Sequence, residues 1–238
     1  PPAGAHAGGG VKRMLQAAIE HVCAGERLHL LPERALWWPA ARALIVADVH
    51  IGKAAAFRAG GQPVPAGTTA GNLRRLDALL QATAARQLLV LGDFLHARAG
   101  VTPGILQALH AWRARHRRLH CVLVRGNHDS RAGDPPESLN VQVLDEPHLA
   151  GPFALRHHPQ PHATHCVLAG HLHPALVLRG GAREQLRLPC FDFGPRIGIL
   201  PAFGGFTGHA TLAADPAHRH FVVADGRVWP VPAGARAP

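Results

Sequence analysis

Three apolar runs of this chain each end in side chains that can ligate a metal, and that recurrence constrains the fold more than any other feature. ALIVADVH (43–50) finishes on Asp48 and His50, QLLVLGD (87–93) on Asp93, and LHCVLVRGNHD (119–129) on Asn127, His128 and Asp129. Helix-like stretches stand between them. In AGTTAGNLRRLDALLQATAA (66–85), Leu73, Leu76 and Leu80 recur on one face of a helical period. PGILQALHAWRARHRR (103–118) opens on Pro near a helix N-terminus. It carries Arg113, Arg115, Arg117 and Arg118 late, where the helix dipole favours cations without any need for a ligand. Three strand–helix units in series predict an α/β layer with right-handed crossovers.

Past residue 140 the helical period fades. NVQVL, FALRHH, HCVLAGHLH and EQLRLPCF read as short strands, and HFVVADGRVWPV (220–231) reads as a hairpin turning at Asp225-Gly226. The expected fold class is therefore α/β (α+β), with a mixed sheet or two packed sheets. No linker separates the halves and no repeat recurs. The expected organisation is one domain over 24–232, an N-terminal extension over 1–23 that is partly flexible, and a C-terminal tail over 233–238.

Composition narrows the classes. With 47% hydrophobic and 17% charged residues the chain is globular rather than disordered. No apolar run reaches the roughly 18 residues of a membrane span, so no membrane partner is expected. The opening PPAGAHAGGG (1–10) resembles a linker and lacks the charged and apolar regions of a signal peptide. The four cysteines form no CxxC pair; Cys121 and Cys166 sit in apolar runs, as small buried hydrophobes do in a reducing cytosol. The expected location is cytoplasmic. A net charge of +10 points to a polyanionic partner such as nucleic acid, although only Lys12 and Lys53 are lysines and an Ala-, Arg-, Gly- and Pro-rich chain also reflects a GC-rich genome.

Histidine is the excess that composition does not explain: 19 copies, in clusters. The clusters fall at strand ends, where sites in open α/β sheets form. In order they are D48-x-H50, G92-D93-x-x-H96, G126-N127-H128-D129, H157 and G170-H171-x-H173. Asp, Asn and neutral His make a mixed nitrogen and oxygen set suited to Mn, Fe or Zn rather than to Mg or Ca. Seven ligands suffice for two metals with positions left for water and substrate. D-x-H and H-x-H spacing puts both side chains on one side of an extended segment.

The five motifs, in this order over 48–173, resemble those of the calcineurin-like metallophosphoesterase superfamily. ADVHIGKAAAFRAGGQPVPAGTT (47–69), LPCFDFGPRIG (188–198) and LPAFGGFTG (200–208) are similar to a narrower group, the bacterial DNA-ligase-associated metallophosphoesterases, over about 24–230. The resemblance implies mixed β-sheets in a β-sandwich flanked by helices, and a phosphodiesterase or DNA endonuclease of a bacterial repair pathway. It implies DNA as substrate, with an ATP-dependent DNA ligase, a helicase and an exonuclease as pathway partners. The implied cofactors are two divalent ions, Mn2+ first, with Fe or Zn as alternatives.

Carried over motif by motif, Asp48, His50 and His173 would bind the first metal, Asp93 would bridge, and Asn127, His157 and His171 would hold the second. A hydroxide between the metals would attack phosphorus in line while His128 assists the leaving oxygen. Asp129 would support the site from behind. Of the adjacent His157 and His158, the phrase H-H-P favours His157 as the ligand. His96 stands where many phosphatases of the superfamily have Asp; a His there resembles the SbcD-type DNA-repair nucleases, and it would orient His128 or touch a backbone phosphate. Lys53 and Arg58 are candidates for substrate phosphates. Asp192 in CFDFGP departs from the aromatic residue that the resemblance leads one to expect. Two other readings share the pattern: a phosphoesterase for a cyclic nucleotide or nucleotide diphosphate, and a non-enzymatic scaffold of the same fold.

Overall fold

A computed structural model describes residues 16–179, 185–212 and 215–232. The expected flexibility of the extension before residue 16 and the tail at 233–238 lie outside the described residues. The predicted βα units are present, preceded by an antiparallel start that the sequence pattern did not announce. Strands β1 (Ile19–Cys23), β2 (Glu26–Leu31) and β3 (Ala35–Trp38) pair antiparallel and feed β4 (Ala43–Val46). Ile19–Cys23, assigned from sequence to the N-terminal extension, is thus a strand of the first sheet. From β4 the chain runs through helices α1 (Lys53–Ala59) and α2 (Thr68–Thr83), β5 (Gln87–Leu91), α3 (Pro103–Arg115), β6 (His120–Val124), the short α4 (Asn127–Ala132) and β7 (Gln142–Leu144). Strands β4 to β7 are parallel neighbours, which completes a seven-stranded sheet in sequence order.

A second sheet follows from β8 (His148–Ala150), β9 (Phe153–Leu155), β10 (Cys166–Ala169), β11 (Pro174–Arg179), β12 (Gln185–Phe193), β13 (Ile197–Ile199), β14 (Ala210–Thr211), β15 (Arg219–Ala224) and β16 (Arg227–Pro230). Its main path runs β14-β11-β12-β13-β10-β9-β8, and the β15–β16 hairpin joins along β12. The predicted turn at Asp225-Gly226 connects that hairpin, with both residues at positive φ.

Alternation along each strand decides which layer it touches. Leu44 and Val46 of β4, Leu88 and Val90 of β5, and Cys121 and Leu123 of β6 pack with Leu73, Leu76, Leu80, Leu109 and Trp112 of the helices. Their neighbours Ile45, Leu89, Leu91, Val122 and Val124 face Phe153, Leu155, Leu168, Phe191, Phe193 and Phe221 of the second sheet. The result is a β-sandwich with helices on the outer face of the first sheet. Phe153 is fully buried and meets Trp38 edge to face at 5.1 Å. Truncating it to Ala removes about 3–5 kcal/mol by loss of transfer energy and creation of a cavity. Among the described residues no helix is long and apolar enough to cross a membrane.

Helix α3 begins as its sequence suggests, with Thr102 accepting from Ile105 N and Pro103 in the first turn. Its arginines need more than the dipole account. Arg113 is only 7% exposed, and its guanidinium donates to the carbonyls of Leu119 and Leu139 at 2.9 and 2.8 Å. It ties the helix end to the segments leading into β6 and β7, while Arg115 pairs with Asp77 at 2.8 Å.

Candidate metal centre

The predicted ligands lie just beyond the ends of β4, β5, β6, β9 and β10, and the loops carrying them are knitted together by backbone bonds. Asp48 N donates to Gly92 O at 3.1 Å, His50 N to Asp93 O at 2.9 Å, and Gly204 N to Asp48 O at 3.0 Å. The D-x-H and H-x-H pairs do not sit on extended backbone, as their spacing had suggested. Asp48, His50, Asp93, His171 and His173 all have left-handed φ, at 55°, 51°, 52°, 70° and 48°. In each pair two left-handed residues flank one other residue, and that is the backbone on which their side chains gather. Such positions cost about 1–3 kcal/mol each and persist where a surrounding structure holds them, typically at functional sites.

Glycines make room for the ligands. A Cβ on Gly92 would stand 2.8 Å from the Cβ of His157, one on Gly126 would stand 2.5 Å from Asp93 N, and one on Gly170 would stand 2.7 Å from Asp48 Oδ2. Each glycine precedes one predicted ligand and clears space for a predicted ligand of another motif. The G-D, G-N and G-H pairs are therefore packing requirements of the centre.

The side chains form two groups that share a middle. In the first, His173 Nε2 lies 3.3 Å from Asp48 Oδ1 and 3.3 Å from His50 Nε2. In the second, His157 Nε2 lies 2.9 Å from Asn127 Oδ1 and 3.0 Å from His171 Nδ1. Asp93 stands between them, with Oδ2 3.9 Å from His50 Nε2 and Oδ1 3.5 Å from His157 Nε2. Asp48, Asp93 and His157 also converge as a buried set.

Hydrogen bonds select which ring nitrogen faces inward. His157 Nδ1 lies 3.1 Å from Leu91 O and His173 Nδ1 lies 2.9 Å from Gly208 O. A carbonyl accepts only, so each Nδ1 carries the proton and each Nε2 presents a lone pair, the arrangement of a metal-ligating imidazole. Burial pushes the pKa of His50 far below its ordinary value, helped by Lys53 and His173, and burial also lowers that of His171. Burial works against charge on His173, but its hydrogen bond with Asp48 leaves its pKa above the ordinary value. Burial, with Asp48 close by, raises that of Asp93. Two buried carboxylates among mostly neutral imidazoles, with nitrogens 3.0 and 3.3 Å apart, make a donor set that fits divalent cations.

His128 stands at the open side. Its Nδ1 donates to the carbonyl of His96 at 2.8 Å, which leaves Nε2 directed at the centre, 3.9 Å from Asp93 Oδ2. His96 therefore orients His128 through its backbone and by stacking at 4.6 Å, while its own ring bonds His50, Nδ1 to Nδ1 at 3.2 Å. That second contact was not expected. Burial and the neighbouring His128 lower the pKa of His96 to about 4. Asp129, expected to support the site from behind, is fully buried and accepts from Leu95 N at 2.8 Å and Gly126 N at 3.0 Å. It is a positioning residue that clamps the Asp93 loop to the Asn127 loop, and burial raises its pKa to about 6.

Of the adjacent pair, His157 is fully buried inside the second group, whereas His158 turns its Nδ1 to Glu146 at 2.7 Å. The pair follows β9 on a bend, so strand alternation is not what separates them. The two candidates for phosphate binding also separate. Burial lowers the pKa of Lys53 against the pull of Asp93 and Asp48, and its ammonium lies 5.9 Å from the centroid of the Phe57 ring. Arg58 instead donates to Val64 O and Pro65 O at 3.3 and 3.2 Å and staples the loop after α1.

Two supporting residues carried no signal in the sequence. Glu146 accepts from the backbone of both His157 and His158, at 2.7 and 3.0 Å. Asn72 of α2 donates to Val49 O at 3.0 Å and accepts from Gly205 N at 3.1 Å, bracing the first ligand loop. Only their loops' return to the centre gives them a role.

Residues 41–171 match the family profile described as calcineurin-like phosphoesterase. The crystal structure of nuclease MPE from Pseudomonas putida is 50% identical in sequence, covering 90% of this chain and 100% of that one, with a TM-score of 0.81. The phosphoesterase Yfce from E. coli is 15% identical over 77% of this chain and 88% of that one, with a TM-score of 0.35. A comparison with curated proteins found no match.

Proposed function

Because the chain belongs to the calcineurin-like phosphoesterase family, we propose that it is a two-metal phosphodiesterase acting on DNA. The observation that carries this reading is the pair of ligand groups meeting at Asp93, with His128 on their open side. Asp48, His50 and His173 would hold one divalent ion, Asn127, His157 and His171 the other, and Asp93 would contact both; Mn2+ suits the mixed donors. When bound, such ions supply charge neutralisation at the phosphoryl oxygens and lower the pKa of a water.

The remaining work falls to the chain. Lys53 brings positive charge to the phosphate. As a water oxygen bonds phosphorus and the P–O bond to the leaving oxygen breaks, His128 in its imidazolium form, held through Nδ1 by His96 O, gives its Nε2 proton to that oxygen. His96 and Asp129 fix the loops that aim it.

The choice of DNA rests on three supports. The relative that is half identical is a nuclease, the net charge is +10, and an aromatic surface flanks the centre. Phe206 is 38% exposed and sits edge-on to Phe57 at 5.7 Å, and Phe57 lies 5.9 Å from the ring of His96. An exposed ring there offers a face for an unstacked base.

The test is hydrolysis by Mn2+-loaded protein of plasmid, single-stranded oligonucleotide, bis(p-nitrophenyl) phosphate and p-nitrophenyl phosphate. The diester should be cut much faster than the monoester, and both DNAs or one of them should be cleaved. Phe206→Ala should raise KM for DNA and leave the small diester unchanged. Preference for the monoester, or intact DNA beside rapid small-diester hydrolysis, refutes the DNA reading.

A further inference from the structure

The CFDFGP phrase leads to a second cluster. Phe191 and Phe193 of β12 point into the core between the sheets, so Asp192 between them faces the outer side of the second sheet. Directly across on β15, in register with Asp192, is His220, whose neighbour Phe221 also points inward. His218, two residues before His220, completes an H-x-H pair. Asp192 and His220 are 4% and 6% exposed. His218 Nδ1 lies 2.7 Å and His220 Nε2 3.3 Å from the same carboxylate oxygen, Asp192 Oδ1.

We propose that Asp192, His218 and His220 form a third metal site, for a divalent ion of the Zn2+ type, on the outer face of the second sheet. Two features of the main centre recur here, and a third observation stands beside them. An H-x-H pair faces a buried carboxylate, with one nitrogen–oxygen separation of 3.3 Å matching that of His173 and Asp48. A glycine clears the ring of a ligand, since a Cβ on Gly194 would stand 2.8 Å from His218 Nε2. A second carboxylate stands behind a ligand: Asp215 Oδ2 is 3.9 Å from His218 Nε2, and Asp215 Oδ1 is fixed by Ala217 N at 2.8 Å. A carboxylate commonly backs a ligating imidazole, and Asp215 stands on that side of His218.

Charge agrees with this. Among the described residues, the ion-pair partners of Asp192 are these two imidazoles alone. A cation would compensate a buried carboxylate that otherwise relies on one hydrogen bond with His218 and the approach of His220. Two nitrogens and one oxygen suit Zn2+. The ion would fasten the β15–β16 hairpin to β12 and take no part in catalysis.

The experiment is metal analysis of the full chain after stripping, Zn2+ loading and dialysis, for wild type, Gly194→Ala and His218→Asn/His220→Asn. Wild type should hold one Zn2+ per chain more than either variant, while all three bind Mn2+ equally at the main centre. Gly194→Ala keeps every donor and displaces one ring, so its loss of one ion separates a site from a generally weakened fold. If the double variant does not fold, wild type is probed by diethyl pyrocarbonate. Zn2+ should protect His218 and His220 from modification at least tenfold, measured by peptide mass. Equal zinc in wild type and Gly194→Ala, or no protection of these two histidines, means a hydrogen-bonded polar cluster and overturns the proposal.

Discussion

Gly126→Ala probes how tightly the centre is packed, because it adds one methyl group and removes no ligand. Gly126 has φ −97°, which alanine adopts freely, so backbone strain is not at issue. The new Cβ would lie 2.5 Å from Asp93 N and closer still to its carboxylate, against an ordinary contact beginning at 3.4 Å. Asp93 or the Asn127 loop must therefore yield by about 1 Å, and a displacement of that size in a catalytic constellation costs about 100-fold in rate. Overpacking at a buried position costs a further 1–3 kcal/mol of stability, roughly. The assay is kcat for bis(p-nitrophenyl) phosphate with Mn2+, read beside bound metal and the urea midpoint. Gly71→Ala is the control: it lies in α2 with nothing within 4 Å of its Cβ, and should stabilise the chain by about 1 kcal/mol without changing kcat. A Gly126→Ala protein within threefold of wild-type kcat, folded and fully metallated, refutes the argument that this glycine sets the position of Asp93.

Other outcomes follow from the same geometry. Asp93→Ala should lower metal content and activity more than Asn127→Ala, because it removes charge from both ligand groups; equal losses on elemental analysis and kinetics would deny it the shared role. His128→Ala should keep the metals and lose about 10²–10⁴ in turnover, with DNA suffering more than a p-nitrophenyl diester, whose leaving group needs no proton. Equal loss on both substrates would move His128 from proton donor to charge stabiliser. In the edge strand β1, burial and Arg219 push the pKa of His21 down to about 4. The unfolded chain then binds more protons than the native one between about pH 4 and 6.5, so stability from this ring is complete above about 6.5 and is lost as pH falls toward 4. The loss is of order 1–3 kcal/mol. His21→Phe should flatten that part of the urea-midpoint profile, and an unchanged slope would rule the residue out as its source.

What was legible in the sequence was local. Apolar runs mark β4, β5 and β6 because a strand buried on both faces needs no polar alternation, and the Leu73, Leu76 and Leu80 period marks α2. The ligands stood out for the same reason, as polar residues of metal-binding type placed immediately after buried strands. Contacts between distant segments were not legible. Strands β1 to β3 are stabilised by pairing across the sheet, and their short runs carry no period of their own. The phrase H-H-P favoured His157 over His158 only by resemblance; the physical reason is tertiary, in the bond between Glu146 and His158 and the space left by Gly92. Arg58 and Lys53 read alike as free cations, yet one is taken up by loop carbonyls and the other is drawn toward two buried carboxylates. Residue types and their order are properties of the chain, whereas convergence, tautomer and burial depend on which backbone carbonyls and side chains the folded sheets bring within reach of each group.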